Sequence, residues 1–153
     1  MPGFVFDTSS FIEPWVRRLP HDVFPGYWAR LGGATASGEV ISPIEVLHEV
    51  AKKQDDLYKW LKERSKAFVE LDSPQQQAVR EILARFDKLV KAHKRQTAAD
   101  SFVIALARVR GFSVVTEESS GKVSQPKIPD VCAHYGIKCM NVIEFVRKQN
   151  WSF

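Results

Sequence analysis

Phe4-Val5-Phe6-Asp7-Thr8-Ser9 is the stretch that decides the fold: three apolar residues run straight into a carboxylate and two hydroxyls. A short, unbroken apolar run of this kind reads as a strand buried on both faces, and Asp7 marks where it stops. The same pattern returns late in the chain, where Phe112-Ser113-Val114-Val115-Thr116 ends in Glu117-Glu118. Val40-Ile41 and Ile137-Lys138-Cys139-Met140 read as two further short strands.

Helical signals fill the intervals. Ser10 and Glu13 have capping-box spacing and predict a short helix just after the first strand. Residues 20–38, rich in Pro, Gly and aromatics, read as a loop holding one helical turn. Ser42-Pro43-Ile44-Glu45 predicts a helix start, with Ser42 as its cap and Glu45 as the capping partner. Leu57, Trp60, Leu61 and Phe68 share helix spacing, as do Val79, Leu83, Phe86 and Val90 behind a start at Ser73-Pro74. A helix over 97–110 carries Phe102, Val103, Leu106 and Val109 on one face and stops at Gly111. Ile128-Pro129-Asp130 begins a short helix, and Asn141 caps a last one. Strands separated by helical crossovers predict an α/β fold: one domain over residues 1–153, with a central parallel sheet of four to five strands flanked by helices. In such sheets ligands sit at the carboxyl ends of the strands.

Composition limits the classes. Hydrophobic residues make up 44% and charged residues 26%, which excludes a disordered chain. Two cysteines, Cys132 and Cys139, exclude a disulfide scaffold and a four-cysteine zinc site, and read as buried thiols. No apolar run approaches the roughly 18–20 residues of a membrane span, and no signal peptide opens the chain, so a cytoplasmic protein without a membrane partner is expected. The 22 Lys and Arg against 18 Asp and Glu give a net charge of +4, which permits a polyanionic partner without requiring one.

The acids carry the functional signal. Asp7 ends the first strand, Glu49 lies on the helix after the second, Asp100 opens the helix before the third, and Glu117 and Glu118 follow that third strand. Acids gathered this closely raise one another's pKa unless a cation compensates. Oxygen ligands without His or Cys suit Mg2+ or Mn2+, which activate water and neutralise charge on a phosphodiester. Each acid also has a structural reading: Asp7 as a strand terminator, Asp100 as the capping partner of Thr97, Glu117 and Glu118 as solvated loop acids. Other motifs fail. His48-Glu49 begins like a zinc-protease helix, but Lys52 stands where the second His is needed. Gly121-Lys122 lacks the rest of a phosphate loop, and a phosphatase reading of Asp7 needs an Asp where Ser9 stands.

On these residues the chain resembles the PIN domains, metal-dependent nucleases that include the VapC-like toxins of bacterial toxin–antitoxin pairs. The matching pieces are Phe4 to Ser9, Val46-Leu47-His48-Glu49-Val50, Ala99-Asp100 followed by Ile104-Ala105-Leu106-Ala107, and Val114-Val115-Thr116-Glu117-Glu118. It is more similar still to an uncharacterised prokaryotic PIN-like subfamily through Asp55-Asp56-Leu57-Tyr58-Lys59-Trp60 and the Ile-Pro-Asp-Val-Cys segment at 128–132. The resemblance implies metal-binding acids at Asp7, Asp100 and Glu118, with Glu49 completing the shell or positioning water. Many PIN domains have Asp at the fourth position, so Glu118 is a departure and Glu117 a competitor for the role. Ser9 and Thr116 match the hydroxyls found beside the metal.

The function this implies is a Mg2+- or Mn2+-dependent endoribonuclease, the toxin of a pair with a small antitoxin. The rival is a PIN-like binding or assembly module that has lost catalysis. Lys88, Lys91, Lys94 and Arg95 form a basic run suited to the RNA backbone, or else a solvated helix face. Trp15, Phe24, Tyr27 and Trp28 crowd one loop-rich stretch, either packing over the sheet or serving as anchors for an antitoxin or for a homodimer, which is the expected state.

Overall fold

The computed structural model describes residues 3–86, 99–122 and 126–153. In chain order the elements are β1 (Phe4–Phe6), α1 (Thr8–Glu13), a π-helical turn (Pro14–Arg18), α2 (Pro25–Ser37), β2 (Val40–Pro43), α3 (Ile44–Lys53), α4 (Asp55–Lys62), a 3-10 turn (Ser65–Ala67) and β3 (Phe68–Val69). Then come α5 (Ser73–Arg85), α6 (Asp100–Arg110), β4 (Ser113–Val115), α7 (Ile128–Tyr135), β5 (Cys139–Met140) and α8 (Val142–Lys148). The strands form one parallel sheet in the order β3-β2-β1-β4-β5. This is the α/β architecture the strand and helix spacing predicts, with five strands. No described helix is long and apolar enough to cross a membrane.

Strand order explains where a site belongs. The chain builds outward from β1 through β2 to β3, then returns to the other side of β1 with β4. The direction of winding therefore reverses between β1 and β4, and a crevice opens outside their carboxyl ends. The register pairs Phe6 with Val115, so Asp7 and Thr116 are the next residues side by side. Burial fixes this register. Val5, Phe6, Val114 and Val115 are fully buried, and a slip of one residue would exchange their faces. Gly3 is required at the entry to β1, because a Cβ there would sit 2.5 Å from the Glu39 carbonyl oxygen and 2.7 Å from the Phe112 ring.

Several local expectations are corrected. Residues 20–38 are not mainly loop: α2 runs for 13 residues and buries Tyr27, Trp28, Leu31 and Ala34. Trp28 donates to the Leu19 carbonyl and packs edge-on against Trp15 and Trp60. Tyr27 and Trp28 are therefore core, and Trp15 and Phe24 pack against that core, which removes the aromatic argument for a dimer. The exposed large apolar residues in and just before this stretch are Val23 and Val16, 63% and 47% accessible. Phe68 belongs to the edge strand β3 and not to the helix of Leu57 and Leu61.

Two serines read as caps do something else. Ser10 donates to the Val115 carbonyl, and Ser42 donates to the Phe6 carbonyl at 2.7 Å. Asp7, not Ser10, caps α1. Pro43 precedes α3 without a side-chain cap, so Glu45 has no capping partner there, and its buried Oε1 accepts no hydrogen bond among the described residues. Asp72, not Ser73, caps α5. Asn141 does cap α8, in a reciprocal box with Glu144. Thr97, Val90 and the basic run Lys88, Lys91, Lys94 and Arg95 lie outside the described residues.

Phe145 of α8 closes the core beneath the site. Its ring meets Phe4, Phe6 and Trp151 edge-on at 4.9, 5.0 and 5.4 Å. Phe145→Ala is expected to cost about 3–5 kcal/mol. Urea unfolding checks this, and a loss below about 1 kcal/mol would contradict the packing.

Candidate active site

Asp7 is the buried centre of the crevice, and both of its carboxylate oxygens are held. Oδ1 accepts the Thr8 N–H at 2.7 Å, which caps α1. Oδ2 accepts the Ser9 hydroxyl at 2.7 Å and the Thr116 hydroxyl at 2.8 Å. Those two hydroxyls accept in turn from the next strand end: Glu117 N–H donates to Ser9 Oγ at 3.0 Å, and Glu118 N–H to Thr116 Oγ1 at 3.1 Å. One carboxylate thus fixes the start of α1 and the turn after β4. Burial pushes the Asp7 carboxyl above its usual range, and the hydrogen bonds from Ser9, Thr116 and Thr8 pull it back.

Glu117 and Glu118 diverge, as neighbours in extended chain do. The Glu117 carboxylate turns inward, 6% exposed. Its Oε2 accepts the Val142 N–H at the start of α8 at 3.0 Å, and its Oε1 lies 3.1 Å from Arg18 Nη1. It is a clasp that ties the π turn and α8 to β4. Glu118 instead lines the cleft with Asp7, Thr8, Ser9, Ile12, Glu13, Glu49 and Lys53, around a cavity of about 240 Å³. Its buried Oε2 accepts no hydrogen bond among the described residues. Burial first, then the charge of Asp7, pushes its carboxyl up to about 7, against the pull of the Ile128 N–H and Lys127.

Glu49 reaches the same cleft from α3, where the Thr8 hydroxyl donates to its Oε1 at 2.5 Å. Burial raises its carboxyl above the usual range, and this hydrogen bond works against the rise. Asp100 is 1% exposed in the first turn of α6 and is not among the residues lining the cavity. Topology still puts it at this edge. The helix ends one turn before the start of β4, and its 11 residues rise about 16 Å back toward the carboxyl ends of the strands.

The sequence reading singled out neither Thr8 nor Lys53. Lys53 had a signal, since it stands four residues beyond Glu49 on one helix face. Thr8 had none beyond its place beside Asp7, because its bond to Glu49 joins segments 41 residues apart.

The donors fit a hard divalent cation in kind. They are all oxygen, they repel one another, and one buried carboxylate oxygen lacks a donor. Among the described residues no three His, Cys, Asp or Glu side chains already stand as an assembled metal site.

The raised Glu118 sets a pH dependence. Its native carboxyl titrates near 7 against an ordinary 4.5, so the folded chain holds a proton that the unfolded chain has released. The stability that Glu118 contributes without metal is then fully present below about pH 4.5, is lost as pH rises through 7, and changes no further above. Asp7, Glu49 and Lys127 are the charged groups that set the window. Glu118→Gln is expected to flatten that fall and to leave the variant the more stable of the two at pH 8. Urea midpoints at pH 5 and pH 8 measure it, and an equal fall in both proteins would show that another group titrates.

A search of curated proteins finds no match. Among solved structures, the chain is similar to FitAcB from Neisseria gonorrhoeae at 18% identity, with a TM-score of 0.45, over 90% of this chain and 96% of that one. A family model described as "Domain of unknown function (DUF4411)" matches residues 4–153, and the chain belongs to that family.

Proposed function

We propose that this protein is a Mg2+- or Mn2+-dependent endoribonuclease, restrained in the cell by a small antitoxin protein as the PIN resemblance implies. The observation that carries the nuclease reading is the convergence of Asp7, Glu49 and Glu118 on one cleft at the switch point of the sheet, with the buried Glu118 Oε2 lacking a donor. Asp7, Asp100 and Glu118 are the residues assigned to the metal. Bound there, the metal supplies charge neutralisation at the scissile phosphate and a more acidic water.

The chain's own residues do the rest. Ser9 and Thr116 hold Asp7 ionisable and fixed through Oδ2. Thr8 pins Glu49 through Oε1, which leaves Oε2 to accept a hydrogen bond from the attacking water. Lys53, the cation lining the cleft, faces the substrate phosphate and offsets the repulsion that three carboxylates impose on RNA. The second reading, a module without catalysis, draws on the absence of an assembled metal site among the described residues.

Cleavage of single-stranded RNA by the purified protein, dependent on Mn2+ and abolished by EDTA, is the test. Glu49→Gln is expected to lower the rate by about a hundredfold or more, while Glu45→Gln, outside the cleft, keeps it. Mn2+ at about 100 times its Kd is expected to raise Tm by about 5–10 °C, a shift that Asp7→Asn weakens. A melting curve unmoved by Mn2+, together with no cleavage, would leave the binding module as the reading. For assembly, light scattering decides between a homodimer and a monomer.

A further inference from the structure

The edge of the sheet opposite the acid cleft holds a second cavity, of about 440 Å³, at the starts of β1 and β4. That volume falls in the range of small-molecule sites. Phe112, Tyr135 and Ile137 give it half-buried apolar walls, and Arg108, Lys138 and Lys148 give it charge. No Asp or Glu lines it.

The cations are not accounted for by partners. Arg108 Nη1 pairs with Glu81 Oε2 at 2.7 Å, and its guanidinium lies 4.4 Å over the Tyr135 ring. Its Nε and Nη2 donate to no acceptor among the described residues. Neither Lys138 nor Lys148 has an ion pair or side-chain hydrogen bond among those residues. The partial negative charge at the carboxyl ends of α6, α7 and α8 suits one cation near each end, Arg108, Lys138 and Lys148 in turn. What the helix ends do not supply is a full counter-ion: Lys138 and Lys148 border one apolar hollow lined by no Asp or Glu, and neither has an ion pair among the described residues.

We infer that this cavity binds a small anion with a planar apolar body, the chemistry of a nucleoside monophosphate. The ring lies against Phe112, Ile137 and Tyr135, and the phosphate meets Lys138, Lys148 and the uncommitted N–H groups of Arg108. The site is separate from the acid cleft, so the inference stands whether or not the protein is a nuclease.

Calorimetric titration of the full chain with AMP in EDTA tests it, because without metal the carboxylates of the acid cleft repel a phosphate. AMP is expected to bind saturably, with adenosine and inorganic phosphate each at least about tenfold weaker. The double variant Lys138→Glu with Lys148→Glu is expected to lose AMP binding by about tenfold or more, and Lys138→Gln with Lys148→Gln to lose it in part with an unchanged melting curve. No heat with AMP at millimolar concentration would overturn the proposal. So would AMP binding that survives charge reversal of both lysines, or inorganic phosphate binding as tightly as AMP.

Discussion

The structure depends on one buried carboxylate and the three donors that hold it. Asp7 sits where β1 ends, beside Thr116 in the register of the central strand pair, with its oxygens taken by Thr8 N–H, Ser9 Oγ and Thr116 Oγ1. A buried charge without partners is costly, so these bonds are what allow an acid at the centre of an apolar sheet. They also organise what surrounds them. Through Ser9 and Thr116 the same carboxylate fixes the N–H groups of Glu117 and Glu118, and with them the directions those side chains take.

From that anchor the acids divide into two kinds. Glu117 is satisfied by Arg18 and the start of α8, and it joins elements that are far apart in sequence. Glu118 and Glu49 share the cleft with Asp7, and burial raises all three carboxyls. Their environment favours the neutral form, yet the chain places them together, a combination that perturbed acids at functional sites display. In the metal-dependent function proposed above, a cation in the cleft would replace carboxylate–carboxylate repulsion with attraction, and Glu118, whose buried Oε2 has no donor among the described residues, would gain most from it.

Much of this was legible in the sequence, and the failures share a physical cause. The strands ending in Asp7 and Thr116 announce themselves because both faces are buried and the apolar run is unbroken. The last helix was legible because its Asn141–Glu144 box is local. Helix α2 was hidden by Gly26, Gly32 and Gly33, each costly in a helix by about 1 kcal/mol, and by the Pro that opens it; packing of Tyr27, Trp28, Leu31 and Ala34 outweighs that propensity. Ser10 and Ser42 carry cap spacing, but each finds a carbonyl on a strand distant in the chain, a competition that local rules cannot resolve. Phe68 fits a helical stripe by spacing alone, and a two-residue edge strand leaves too short a pattern to compete. For the site, the sequence named Asp7, Glu49 and Glu118, and left Glu117 and Glu118 as rivals. Only the turn after β4, set by two hydroxyls, shows which of them faces the cleft.

The central claim is that the carboxyl ends of β1 and β4 form one divalent-cation site built on Asp7. Anomalous diffraction from crystals soaked in Mn2+ tests it most directly. The account predicts a single strong manganese peak between the Asp7 and Glu118 carboxylates. A protein that crystallises in the same fold with no peak in that cleft, or with manganese bound only at surface acids elsewhere, would contradict it.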